Sequence, residues 1–204
     1  MSNQSSVHPY LNWVKQRIDE MDATLASLEA KAGQVQADSK VKANQLIAEL
    51  KKQRDEFQAE AKKQTEASEA AWKSNKAKFD SQWKAFEDQV KTYIDTVAKQ
   101  APQQQALFRD VAAAQVKAWR EAADTIQDTA TKFAAGRRVD IDAAVTKMKA
   151  DAAEAEARLQ KLNQTGQQSW GAFSAALAES RKAFDSANQA AWEAVKKAAP
   201  SSAA

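Results

Sequence analysis

The 204-residue chain has no cysteine, a single histidine, three prolines and four glycines. Without cysteine there are no disulfides, thiolate metal sites, iron–sulfur clusters or Cys nucleophile. One histidine, His8, excludes a multi-His metal site. His8 lies in a polar leader beside Pro9, where it reads as a helix-start residue rather than a proton shuttle. There is no Gly-rich phosphate loop, no Gly-x-Ser-x-Gly elbow and no His-Glu-x-x-His. Carboxylates one turn apart, such as Glu56/Glu60 and Asp151/Glu154, read as solvated helix faces, because a di-iron bundle needs Glu-x-x-His pairs. The chain is therefore expected not to be an enzyme and to use no cofactor and no metal.

Long apolar runs are missing too. No stretch of ~18 apolar residues exists to span a bilayer, and the first 30 residues hold no apolar h-region. A cytoplasmic protein is expected. Charge of one sign is also scarce: 30 Lys and Arg face 27 Asp and Glu, a net +3. Nucleic-acid binders gather cations on one face. Here even the most basic stretch, Lys31 to Lys63, carries 8 positive and 5 negative residues, so nucleic acid is not the expected partner.

What the chain does have is helix formers. Apolar residues make up 44%, but 46 residues are alanine, which leaves too little large apolar surface for a broad core and enough for narrow seams. Acid-to-base pairs at i,i+4 recur, among them Asp80/Lys84, Glu87/Lys91, Asp95/Lys99 and Glu154/Arg158, all with the acid first. No alternating strand pattern appears. An all-α protein follows. Residues 1–8 read as a flexible leader, 9–198 as one elongated helical bundle and 199–204 as a flexible tail. Ala101-Pro102 reads as the hairpin turn, with Pro102 ending a helix at about Ala101. Softer breaks are placed near 33–39, 136 and 163–171.

Leu11, Val14, Ile18, Met21, Leu25, Leu28, Ala32 and Val35 alternate three and four apart, a heptad seam. From Leu46 the spacing becomes an eleven-residue repeat, with Leu46, Phe57, Ser68, Phe79 and Val90 in one row and Leu50, Ala61, Trp72, Trp83 and Ile94 in the next. The seam is polar from Gln53 to Asn75 and aromatic from Trp72 to Tyr93. In the second half, Ile141, Val145, Met148, Ala152, Ala155, Leu159 and Leu162 form a clean heptad seam. A shift of 98 positions matches Val41 to Val139, Trp72 to Trp170 and Phe86 to Phe184, with Ile47/Val145 and Leu50/Met148 as near matches. The shift is consistent with an internal duplication, although biased sequences match themselves readily.

A turn at 101–102 makes an elongated antiparallel hairpin and sets Trp83 opposite Trp119. Two forms of it are open. In one, the arms 9–32 and 168–198 fold back along 37–68 and 133–163, giving a four-helix section with a two-helix stalk. In the other, two straight helices run the full length. The chemistry at Gly33, Asp38 and Ser39 favours the fold-back. Two stalk helices alone leave large rings partly wet. Trp72, Phe79, Trp83, Phe86, Tyr93, Phe108 and Trp119 are therefore the candidate protein-interaction residues.

Two functions fit. The first is a structural or scaffolding coiled coil that self-associates or docks a partner helix through the aromatic seam. The second is an amphipathic coat on a lipid layer or hydrophobic storage granule. In its Ala/Lys/Gln/Glu-rich composition the chain resembles exchangeable apolipoproteins and the phasins of polyester granules, without a motif specific to either. Narrow seams, mostly two residues per heptad, tilt the sequence reading to the scaffold.

Overall fold

A computed structural model describes residues 9–64, 69–164 and 170–199. They form six α-helices and no strand: α1 (Pro9–Ala32), α2 (Ala37–Lys63), α3 (Glu69–Val97), α4 (Ala101–Ala130), α5 (Ala135–Gln164) and α6 (Trp170–Ala198). The all-α expectation holds. Helix ends follow the backbone dipole: α2 opens with Asp38 in its first turn and closes on Lys62 and Lys63, and α6 closes on Lys196 and Lys197. Pro9 opens α1 and Pro102 sits in the first turn of α4, where a missing N–H is harmless. Pro102 therefore starts a helix rather than ending one, since α3 stops at Val97. The expectations for His8 and for residues 200–204 lie outside the described residues.

The chain divides into two compact units. The first comprises residues 17–115: the last two-thirds of α1, all of α2 and α3, and the first half of α4. Its helices alternate in direction. Asp22 of α1 pairs with Arg54 of α2, and Glu29 with Lys51 at 2.5 Å, so the two run antiparallel. Between α2 and α3, Gln64 meets Asn75 at 3.0 Å, Glu60 meets Lys78 at 3.1 Å and Asp38 meets Lys99 at 2.6 Å. Thr24 accepts a hydrogen bond from Gln115 at 3.1 Å and Lys31 pairs with Asp110 at 3.3 Å, which sets α4 antiparallel to α1. Its buried side chains include Met21, Leu28, Leu50, Phe57, Phe79, Phe86, Tyr93 and Phe108.

The second unit takes the described residues up to Gln16 together with those from Val116 onward: the start of α1, the end of α4, α5 and α6. Arg120 and Asp124 of α4 pair with Glu156 and Lys149 of α5 at 2.6 and 2.8 Å, and Arg158 of α5 reaches Glu179 of α6 at 3.0 Å. Its core mixes Trp119, Phe173 and Phe184 with Ala123, Ala152, Ala155, Ala187 and Ala191.

The fold-back is present: α1 lies on α2 and α6 lies on α5. The continuous helix expected through 46–97 is not. α2 ends at Lys63 and α3 begins at Glu69, and the two pack as a hairpin. The physical reason lies in the polar stretch of the seam. Gln53, Gln64 and Asn75 supply no apolar knobs to a long helix, and here the Gln64 and Asn75 amides bond each other across the hairpin instead. Gly136 also shifts role. The break falls at 131–134, and Gly136 is the second residue of α5.

The 98-residue shift reappears in the architecture. α1 and α4 end at Ala32 and Ala130, and α2 and α5 begin at Ala37 and Ala135, each pair 98 apart. Buried positions correspond as well: Met21 with Trp119, Leu28 with Ile126, Leu50 with Met148 and Phe86 with Phe184. The shift therefore relates two three-helix repeats, α1–α3 and α4–α6.

Candidate functional site

The aromatic seam stays the centre of interest, and it is assembled inside the two units. In the first, Phe57 of α2 meets Phe79 of α3 edge-on, ring centroids 5.0 Å apart at 69°. One turn on, Trp83 stacks on Phe86 at 5.9 Å and 25°. The Arg17 guanidinium sits 5.1 Å from the Trp83 ring centroid, a cation–π contact between α1 and α3. Arg17 is 2% exposed and its ion-pair partner Glu20 is fully buried. A buried charge needs a partner, and Arg17 has a carboxylate and an indole face. Below it, Thr24 and Gln115 complete a buried polar stripe along α1.

In the second unit Trp119 stacks on Phe184 at 5.2 Å and 17°. Its indole Nε1 has no protein hydrogen-bond partner, and neither does Oδ1 of Asn188, one turn along α6 from Phe184. The Tyr93 hydroxyl in the first unit is likewise buried without a partner, and burial raises its pKa above the usual 10.

The candidate residues are thus placed as follows. Phe79, Trp83, Phe86, Tyr93 and Phe108 lie in the first unit and Trp119 in the second, all buried. Trp72 is on α3, but its side chain lies outside the described residues. The premise that two helices leave these rings wet needs correction. α3 has α2 beside it and α1 across Trp83, so the rings are covered by the chain itself. Among the described residues the large hydrophobics left exposed are Val41, at 71%, and Val139, at 64%. The residues that sequence reasoning missed are Arg17 and Glu20. Their signal was present, since both flank Ile18 and Met21 on the seam side of α1.

The ionisable groups on the outside are tied into helix–helix contacts. Lys99 holds the exposed Asp38 carboxyl below its usual range, and Lys78 does the same to Glu60. Burial raises Asp22, against the opposing pull of Arg54. On α3 the bases pair forward, Lys84 with Asp88 and Lys91 with Asp95, rather than back to the acids expected from the acid-first pattern. Among the described residues no three His, Cys, Asp or Glu side chains converge as a metal set. A concavity between the start of α5 and the end of α6 is lined by Arg137, Asp140 and Lys197 with small residues, a mixed and solvated charge set. No helix among the described residues is long and apolar enough to cross a membrane.

Comparison with known proteins produced no match to a family model, a curated protein or a solved structure.

Proposed function

We propose that the chain is a non-enzymatic amphipathic helical protein that keeps its seam closed in water and opens it against an apolar surface, such as a lipid layer or a hydrophobic granule. One observation carries this reading: the described rings of the aromatic seam are hidden within the chain's own units, and among the described residues Val41 and Val139 are the large hydrophobics left outside. A scaffold that docks partner helices through this seam needs it exposed. A coat that opens on contact needs it hidden until then. The polar groups inside the units ease such opening. Arg17 and Glu20 regain water, and the orphaned Tyr93 hydroxyl and Trp119 Nε1 reach the wet side of an interface. The compositional resemblance to exchangeable apolipoproteins and phasins points the same way.

Flotation with phosphatidylcholine vesicles, triglyceride emulsion and polyester particles tests the idea. The wild type is expected to float with at least one of the three. A form cross-linked between α1 and α2, at Glu29→Cys and Lys51→Cys, is expected to stay in the aqueous phase. Equal flotation of the cross-linked form, or no flotation of either, sinks the proposal.

The scaffold reading keeps one specific support. Interhelix ion pairs are spaced along each unit, such as Asp22–Arg54 and Lys31–Asp110 in the first and Arg120–Glu156 in the second, as suits a bundle that remains closed.

A further inference from the structure

We infer that a second copy of this chain is a partner, and that the two bind by exchanging three-helix repeats. The first unit is not built by the first repeat alone. Its fourth wall is residues 101–115, the opening half of α4, the second repeat's first helix, held by the Gln115–Thr24 hydrogen bond and the Lys31–Asp110 ion pair. The second unit in turn takes the start of α1, the opening third of the first repeat's first helix. Each repeat therefore lends the start of its first helix to the other's unit. The loan does not depend on which copy makes it, since α1–α3 of one chain and α4–α6 of another carry the same contacting residues.

The connection between the repeats is short. The α3 ladder runs on to Ala98, whose N–H bonds the Ile94 carbonyl at 2.9 Å. The α4 ladder begins at Gln100, whose carbonyl accepts from Gln103 and Gln104 at 3.0 and 3.1 Å. Only Lys99 stands between them, exposed and paired with Asp38. A hinge this short is the feature that invites exchange between copies. Pro102 is the counterweight. If α3 ran straight into α4, the proline ring would oppose the Ala98 carbonyl and remove one helical hydrogen bond. It thereby favours the turn, and the monomer. This inference is independent of the surface-coating proposal, because exchange needs no apolar surface.

The absence of native cysteine makes the test direct. Full-length Lys31→Cys and full-length Asp110→Cys chains are mixed, unfolded in guanidinium chloride, refolded together over a range of concentrations and treated with a short bismaleimide. Exchange predicts a covalent heterodimer on a denaturing gel, with a yield that rises with refolding concentration. Adding Pro102→Ala to both chains should raise the yield several-fold. Lys31→Cys mixed with Lys62→Cys is the control, because these positions lie at opposite ends of the α1–α2 pair. No heterodimer in either background overturns the inference. So does a control yield equal to that of the test pair, which would show association through outer surfaces without exchange.

Discussion

The two units share a plan and differ in what fills it. Positions 98 apart hold Phe57 in the first and Ala155 in the second, Tyr93 and Ala191, Leu25 and Ala123, all buried. The first unit is spaced by rings. The second is filled largely by alanine, and α5 and α6 lie in closer contact along their length than α2 and α3 do. Small residues let helix backbones approach, while rings hold them apart and fill the gap. One arrangement of turns can therefore be kept by two chemistries, provided each large residue on one helix meets a small one or a complementary ring on the next.

The largest break in this comparison should come from emptying the ring-spaced core. Phe57→Ala or Phe79→Ala is expected to cost roughly 3–5 kcal/mol, read as a lower guanidinium midpoint, with hydrogen exchange accelerating in α2 and α3. The mirror change, Ala155→Phe, overfills a closely packed site and should cost about 1–3 kcal/mol. If Ala155→Phe is neutral, the second unit is not packed as described.

Next is the charge inside α1. Glu20→Leu leaves the buried Arg17 without its carboxylate and should destabilise by about 3 kcal/mol. Glu20→Leu with Arg17→Met, which removes both charges, should recover most of that loss. Equilibrium unfolding of the three variants forms a cycle. Additive losses would mean that Arg17 and Glu20 do not act as a pair.

A smaller effect of opposite sign is expected from Tyr93→Phe. The hydroxyl is buried and unpartnered, so removing it should stabilise by about 1 kcal/mol. The pH dependence gives a second readout. Because burial raises the folded-state pKa, the unfolded chain ionises first as pH passes 10. The stability held below that pH then falls as pH rises toward the folded pKa. Tyr93→Phe should flatten this alkaline limb, and an unchanged limb would place its origin elsewhere. Smallest of all, Gly136→Ala in the first turn of α5 should add about 0.5–1 kcal/mol, because an added Cβ meets no atom within 4 Å. A thermal melt of this variant at or below wild type would contradict the open placement of Gly136.

Helix type, the fold-back at Gly33 and the seam residues were legible because each is a local or periodic signal. Val14, Met21, Leu25 and Leu28 are read as seam and are buried. The break between Lys63 and Glu69 was not legible. No Gly or Pro stands between Gly33 and Pro102, and only the loss of apolar knobs from Gln53 to Asn75 marked it. The burial of Phe79, Trp83 and Phe86 depends on α1 and α2 lying against α3, which periodicity on one helix does not reveal. Arg17 was legible as a neighbour of the seam but not as a core residue, because its burial depends on the Trp83 indole of α3 lying over it.

α1 and α4 each serve both units, with the divide between Gln16 and Arg17 in one and between Gln115 and Val116 in the other. This constrains which insertions and deletions the gene can tolerate. One extra residue inside α4 at that divide turns everything beyond it by about 100° about the helix axis. Trp119 and Ile126 would leave the core while Phe108 and Val111 stayed in place. The same extra residue at Lys99 would only lengthen an exposed turn. Length variation is therefore expected to collect at 33–36, 98–100 and 131–134, while α1 and α4 hold their residue count as strictly as a reading frame.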